Sequence, residues 1–173
     1  MKKQIDAFDY AGDICKAMKK GILLTTKADD KVNTMTIGWG MIGVEWGKPI
    51  FLALVRESRF TRELVDQGGD FTVNIPWGQI DPKILGYCGT KSGRDVNKFT
   101  QMGLTAVEAS KISAPAIAQL PLTLECKVLH RQLQELDREV DASVAKYYPE
   151  NAEGKRDLHY MYFAEILDAY ILE

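Results

Sequence analysis

Phe8, Ala11, Cys15 and Met18 recur at helical spacing, so the chain opens with an amphipathic helix. Asp6 is placed to cap its first turn, Lys19 and Lys20 complement the dipole through about Lys20, and Gly21 is suited to end it. Beyond that point the period changes. Ile22–Thr26 is short and apolar, Ala28–Lys31 is a polar turn, and Asn33–Val44 resumes with β-branched, aromatic and glycine residues, which together predict a hairpin. Ile50–Val55 is a continuous apolar run of the kind carried by a strand buried on both faces. Phe71, Val73 and Ile75 alternate with Thr72 and Asn74, and Leu122, Leu124, Cys126 and Val128 alternate with Thr123, Glu125 and Lys127, so both segments read as half-buried strands. His159–Leu172, rich in tyrosine and phenylalanine, reads as a last strand. Short helices are expected over Ser58–Gln67 and from Asp81-Pro82 to near Gly89. Strands outnumber helices without alternating with them, which predicts a mainly β fold with flanking helices, a closed or split antiparallel β-barrel rather than a doubly wound sheet.

No repeat, low-complexity stretch or linker divides the 173 residues, so one domain over 1–173 is expected. Charge changes the picture mainly by exclusion. With 22 basic and 24 acidic side chains the net charge is -2, which gives no field to concentrate nucleic acid or an acidic membrane surface. Charges or prolines interrupt every apolar run before the roughly 18 residues of a membrane span, and the first residues carry no secretory pattern. Cys15, Cys88 and Cys126 are odd in number and widely spaced, as expected of free thiols in a reducing, cytoplasmic setting. Cys88 reads as a buried apolar residue before it reads as a reactive thiol. His130 and His159 have no neighbours at metal-ligand spacing, and His130, which continues the strand alternation, is expected in a structural or interface role. Neither G-x-S-x-G nor Cys-x-x-Cys is present. Side chains alone offer little chemistry, which leaves the reaction to a cofactor.

Gly38-Trp39-Gly40-Met41-Ile42-Gly43 matches the dinucleotide fingerprint literally, but Gly47 and Pro49 follow too soon for the helix whose amides would hold a pyrophosphate. Glycines there instead let a strand coil or let a flat ring lie against the backbone. Two other segments suit an anion. Arg56-Glu57-Ser58-Arg59-Phe60-Thr61 brings hydroxyls, amides and guanidinium groups to the start of a helix; the plainer role for Ser58 is an ordinary cap. The loop Cys88–Asp95 gathers hydroxyls, glycines and cations, as an anion nest or a solvated turn would.

An ordered series of motifs, NTMTIGWG at 33–40, GKP at 47–49, VRESRFT at 55–61, FTVN at 71–74 and CGTKSGRD at 88–95 with KF at 98–99, resembles the flavin reductase-like family, with the flavoredoxins as the nearest branch. The resemblance spans roughly residues 20 to 130 and weakens beyond Leu136. It implies an FMN-binding split barrel, usually a homodimer with flavin near the subunit interface. It implies further that Asn33, Met35, Thr36, Ile37, Gly38 and Trp39 line the isoalloxazine edge, that Arg56, Ser58, Arg59 and Thr61 take the phosphate, and that Thr90, Ser92, Gly93 and Arg94 close over the site. FMN fits the residues, since Ser58, Arg59 and Thr61 suit its phosphate while Thr36, Ile37 and the backbone near Gly38 suit its ring. NADH or NADPH is then the expected reductant, and free flavin, a ferric chelate or a protein the acceptor. The alternatives are an electron carrier reduced by a protein partner and a barrel that binds no flavin.

Overall fold

Every strand pairing among the described residues is antiparallel, both across tight turns and between segments far apart in the chain. In the computed structural model, which describes residues 1–136 and 141–173, the elements run β1 (Lys2–Gln4), α1 (Ala11–Met18), β2 (Ile22–Ala28), β3 (Lys31–Ile37), β4 (Gly40–Glu45), β5 (Lys48–Arg56), α2 (Phe60–Gly68), β6 (Asp70–Ile75), α3 (Pro82–Thr90), α4 (Lys98–Met102), β7 (Ala106–Val107), β8 (Ala116–Ile117), β9 (Leu122–Leu133), α5 (Ala142–Ala145) and β10 (His159–Leu172). An eight-stranded sheet has the order β3-β2-β6-β9-β10-β5-β4, with β1 added on β10; β7 and β8 form a separate ribbon.

The sheet coils. Phe51 of β5 and Phe71 of β6 lie with ring centroids 6.5 Å apart, although β9 and β10 stand between their strands in the hydrogen-bonded order. Their rings share one core with Ile22, Leu24, Val73, Leu124 and Tyr162, and Ile14 and Met18 of α1 close it. Coiling also brings β3, at one end of the sheet, close to β5 near the other, and the slot between them becomes important below.

Several local expectations are corrected. The first helix starts at Ala11 rather than Asp6; Asp6 accepts a hydrogen bond from the Phe8 amide and caps only a preceding turn. The buried residues of that helix are Ile14 and Met18, while Phe8 and Cys15 are exposed. Asn33–Val44 is not one strand. It breaks at Gly38-Trp39, because β3 pairs with β2 whereas β4 pairs with β5, so the glycines mark a corner between the two ends of the sheet. A two-residue turn, Trp46 (φ 52°) and Gly47 (φ 68°), then joins β4 to β5. β5 is buried on one face and half-buried on the other rather than on both.

β6 and the first five residues of β9, expected to be half-buried, are buried on both faces: Thr72, Asn74, Thr123 and Glu125 are all inaccessible, whereas Lys127 further along β9 is exposed as expected. The segment before β9 covers them and satisfies them. Glu125 accepts from the Ser110 amide (2.8 and 3.0 Å) and the Lys111 amide (2.7 Å), Thr72 donates to the Pro115 carbonyl (2.7 Å), and Asn74 accepts from the Ile117 amide (2.9 Å). A buried polar strand face with partners costs little, and alternation alone cannot distinguish it from a wet one. Asp81 caps α3 as expected. α2, in contrast, begins at Phe60 with Arg59 at its cap position, and Ser58 does not cap it. Asp66 anchors this helix to the sheet through the Tyr162 hydroxyl (2.7 Å) and Arg131, and pairs within the helix with Arg62 (3.0 Å).

Candidate functional site

Two small adjoining cavities meet at Met35 and Arg59. The first, about 120 Å³, lies between β3, the start of α2 and the loop before α4. Asn33, buried on β3, donates through Nδ2 to Thr61 Oγ1 at 2.8 Å. Because that oxygen accepts from Asn33, its own proton points elsewhere and is available to the cavity that Thr61 lines. Gly93 crosses so close to Asn33 that a Cβ there would lie 2.1 Å from Oδ1, so any larger residue would push the asparagine off Thr61. Arg94 ties the loop to α2 by pairing with Glu63, donating to the Ser58 carbonyl (3.3 Å) and covering the Phe60 ring.

Lys98 dominates this cavity. It is 4% exposed, and its ammonium donates to the Thr34 and Cys88 carbonyls at 2.8 Å each. Its third proton has no acceptor among the described residues, and the side chain lines the cavity. Burial, opposed by Cys88 and assisted by the Arg59 charge, pushes its pKa down to about 8. It is therefore charged at neutral pH with a donor to spare, where an anion is favoured. Arg59, exposed on the rim, shares that field. Cys88 is buried, as expected, and burial raises its thiol pKa although Lys98 works against this.

The second cavity, about 160 Å³, is the slot between Met35–Trp39 and Leu54 of β5, with Arg56 and His159 at its side. Trp39 is 37% exposed and packs against the rings of His159 (4.9 Å) and Tyr147 (5.1 Å). His159 Nδ1 is 2.9 Å from the Tyr148 hydroxyl. Burial and the Arg56 and Arg59 charges, against the opposing pull of Asp157, hold the imidazole down at about 4, so it is neutral at pH 7. The walls of this end are mainly apolar and aromatic, with the Arg56 and Arg59 charges at its side.

All but one of the residues singled out from the sequence line these two cavities. Thr90 does not: its hydroxyl turns back to the Gly86 and Tyr87 carbonyls of α3. Arg56 lines the slot, but its guanidinium is engaged by the Asp157 (2.6 Å) and Tyr147 (3.0 Å) carbonyls, and the Ser58 amide and hydroxyl both donate to the Asp157 carboxylate. Sequence reasoning did not place Lys98, Leu54 or His159 in the site. For Lys98 a signal existed. It is the first residue of a helix capped by Asn97, a position where the dipole disfavours cations, so a lysine there calls for another role.

A sequence model of the flavin reductase like domain matches residues 17–172. The chain belongs to the flavin reductase-like family. An uncharacterised protein of Archaeoglobus fulgidus is 31% identical over 100 residues, which span 58% of this chain and 55% of that relative. Flavoredoxin from Methanosarcina acetivorans superposes with a TM-score of 0.66 at 27% identity, over 88% of this chain and 68% of that one. An FMN-binding domain of a flavin reductases-like enzyme from Shewanella baltica gives 0.66 at 18% identity, over 99% and 77% of the two chains. The mainly β split-barrel fold with flanking helices expected from the sequence is the fold this flavin reductase-like chain shares with them.

Proposed function

We propose that this flavin reductase-like chain binds FMN and works as an oxidoreductase, taking electrons from NADH or NADPH and handing them to a small acceptor, such as free flavin or a ferric chelate, or to a protein. The observation that carries the reading is the buried Lys98 ammonium, which faces the Thr61 hydroxyl across a small cavity that opens into a flat aromatic slot. One end suits a monophosphate and the other a planar ring, and FMN joins the two. Once bound, FMN supplies hydride acceptance and the release of electrons singly or in pairs.

The chain's own residues bind and orient. Lys98, Arg59 and the Thr61 hydroxyl hold the phosphate, assisted by the unpaired amides at the start of α2. Met35, Ile37 and Leu54 exclude water from one face of the ring, and backbone donors along Thr36–Gly38 stabilise the negative charge that reduction places on it. His159 is uncharged at neutral pH and packs on Trp39, so it shapes the slot rather than moving a proton. The cluster of exposed Trp46 and His130 with half-buried Phe163, and with Met41 and Val44 exposed on β4, is the face we assign to a second copy in a homodimer. Sedimentation of the purified chain tests this.

The deciding experiment releases any chromophore with acid, identifies it by chromatography, and adds NADH or NADPH to the holoprotein without oxygen. Yellow protein that yields FMN and bleaches supports the reading. Protein that stays colourless after FMN is added overturns it. Bleaching only with a protein donor favours the electron carrier, the role held open by the flavoredoxin likeness. Arg59→Ala is expected to weaken FMN binding about tenfold by removing one charge-assisted contact, with an unchanged circular dichroism spectrum because the side chain is exposed and donates to no described protein group. Unaltered FMN affinity in a titration rejects that role.

A further inference from the structure

Ser58 stands where a phosphate is expected, yet its donors are already in use. Its amide donates to Asp157 Oδ1 at 3.1 Å and its hydroxyl to Oδ2 at 2.7 Å. A carboxylate held by both oxygens, on an amide and a hydroxyl at the turn into a helix, occupies that turn as an anionic ligand would. Asp157 is firmly held. Its carbonyl accepts from Arg56 at 2.6 Å, and the Glu57 amide donates to the next carbonyl, Leu158, at 2.9 Å. Ser58 also lines the cavity that contains Lys98 and Thr61, so the Asp157 charge sits at its rim. The charged groups facing this turn are Arg56, Arg59 and Arg94, with Glu63 paired to Arg94.

We propose that Asp157 is a specificity-determining residue: an internal anion on the Ser58 donors that sets how strongly the site prefers a phosphorylated ligand over its unphosphorylated form. The inference rests on the flavin reading above. A phosphate reaching Ser58 must displace the carboxylate, and one held by Lys98 and Thr61 alone binds beside a like charge. Either way Asp157 lowers the affinity for the phosphate end and leaves the ring end untouched.

Asp157→Asn keeps the size of the side chain and removes its charge. Three titrations of wild type and variant decide the matter, with FMN, with riboflavin, and with inorganic phosphate followed by thermal shift. FMN is expected to bind about tenfold more tightly to the variant, a coupling of ordinary size for two sites, with riboflavin within twofold of wild type and the phosphate concentration for half-maximal shift falling in step with FMN. A ratio of FMN to riboflavin affinity that is unchanged, or that moves towards riboflavin, overturns the proposal. In a Ser58→Ala background, which removes the hydroxyl and keeps the amide, the gain from Asp157→Asn should shrink; a full tenfold gain there overturns the part assigned to the Ser58 hydroxyl. Wild-type protein that binds neither flavin sinks the flavin reading instead, and the inorganic phosphate titration then decides on Asp157 alone.

Discussion

Lys98→Met should reduce FMN affinity about a hundredfold while riboflavin binds as before. Methionine fills the volume but brings no charge, and a charge-assisted hydrogen bond from a buried ammonium is worth about 2–3 kcal/mol. The fold should survive. Two carbonyls, those of Thr34 and Cys88, lose their donor, but the cost of burying an ammonium disappears with it. pH gives an independent check. The lysine pKa near 8 in the free protein lies below its ordinary 10.5. A bound dianion favours the protonated form, so FMN affinity should hold through pH 7 and fall as pH rises through about 8. On the acid side it should fall again where the phosphate takes up its second proton, at about pH 6. For the empty protein the sign is opposite: between about 8 and 10.5 the unfolded chain binds more protons at this residue, so stability rises with pH across that window. Titration of Lys98→Met with FMN at pH 7 settles the assignment, and affinity within twofold of wild type would reject it. The variant should also lose the alkaline limb.

Gly68→Ala should destabilise the protein by about 3 kcal/mol, roughly a 10 °C loss of Tm for a chain of this size. Alanine is the better helix former, so propensity alone predicts the reverse. Space decides. A Cβ at Gly68 would lie 2.1 Å from the Lys27 carbonyl oxygen of β2, and that oxygen belongs to the main chain and cannot rotate away. α2 would have to lift, and its first turn carries Thr61, so FMN binding should weaken along with stability. Gly12→Ala is the control: it too is helical but meets nothing within 4 Å, and it should raise stability by up to about 1 kcal/mol. Thermal denaturation of both variants checks the pair; a Gly68→Ala protein as stable as wild type would mean that the close approach does not constrain the helix.

Much of this architecture was legible because its periodicities are simple. α3 followed from Asp81-Pro82, and the β2, β6 and β10 segments from their apolar and β-branched runs. Less legible was everything decided at long range. Asn33–Val44 looks continuous in sequence, and only the pairing of β4 with β5 shows that the chain turns a corner at Gly38-Trp39. Thr123 and Glu125 look wet until the covering segment is placed over them. In the site, residue types that suit an anion pointed to two segments that line one cavity, because hydroxyls, glycines and cations near a helix start are a local signal. They did not show which donors were free. Ser58 and Arg56 are satisfied by a segment about a hundred positions away, whereas Lys98, whose position in sequence hardly distinguishes it, is the buried cation with capacity left.

The slot between β3 and β5 has one more consequence. Its walls belong to strands near opposite ends of a single hydrogen-bonded ladder, so a ring wedged between them acts as a clasp on the whole coil rather than as a guest in one corner. Any motion that uncurls the ladder also empties the clasp. Saturation at a hundred times Kd, worth about 2.7 kcal/mol, should therefore slow amide exchange evenly from β2 round to β10 instead of only at the contacting residues.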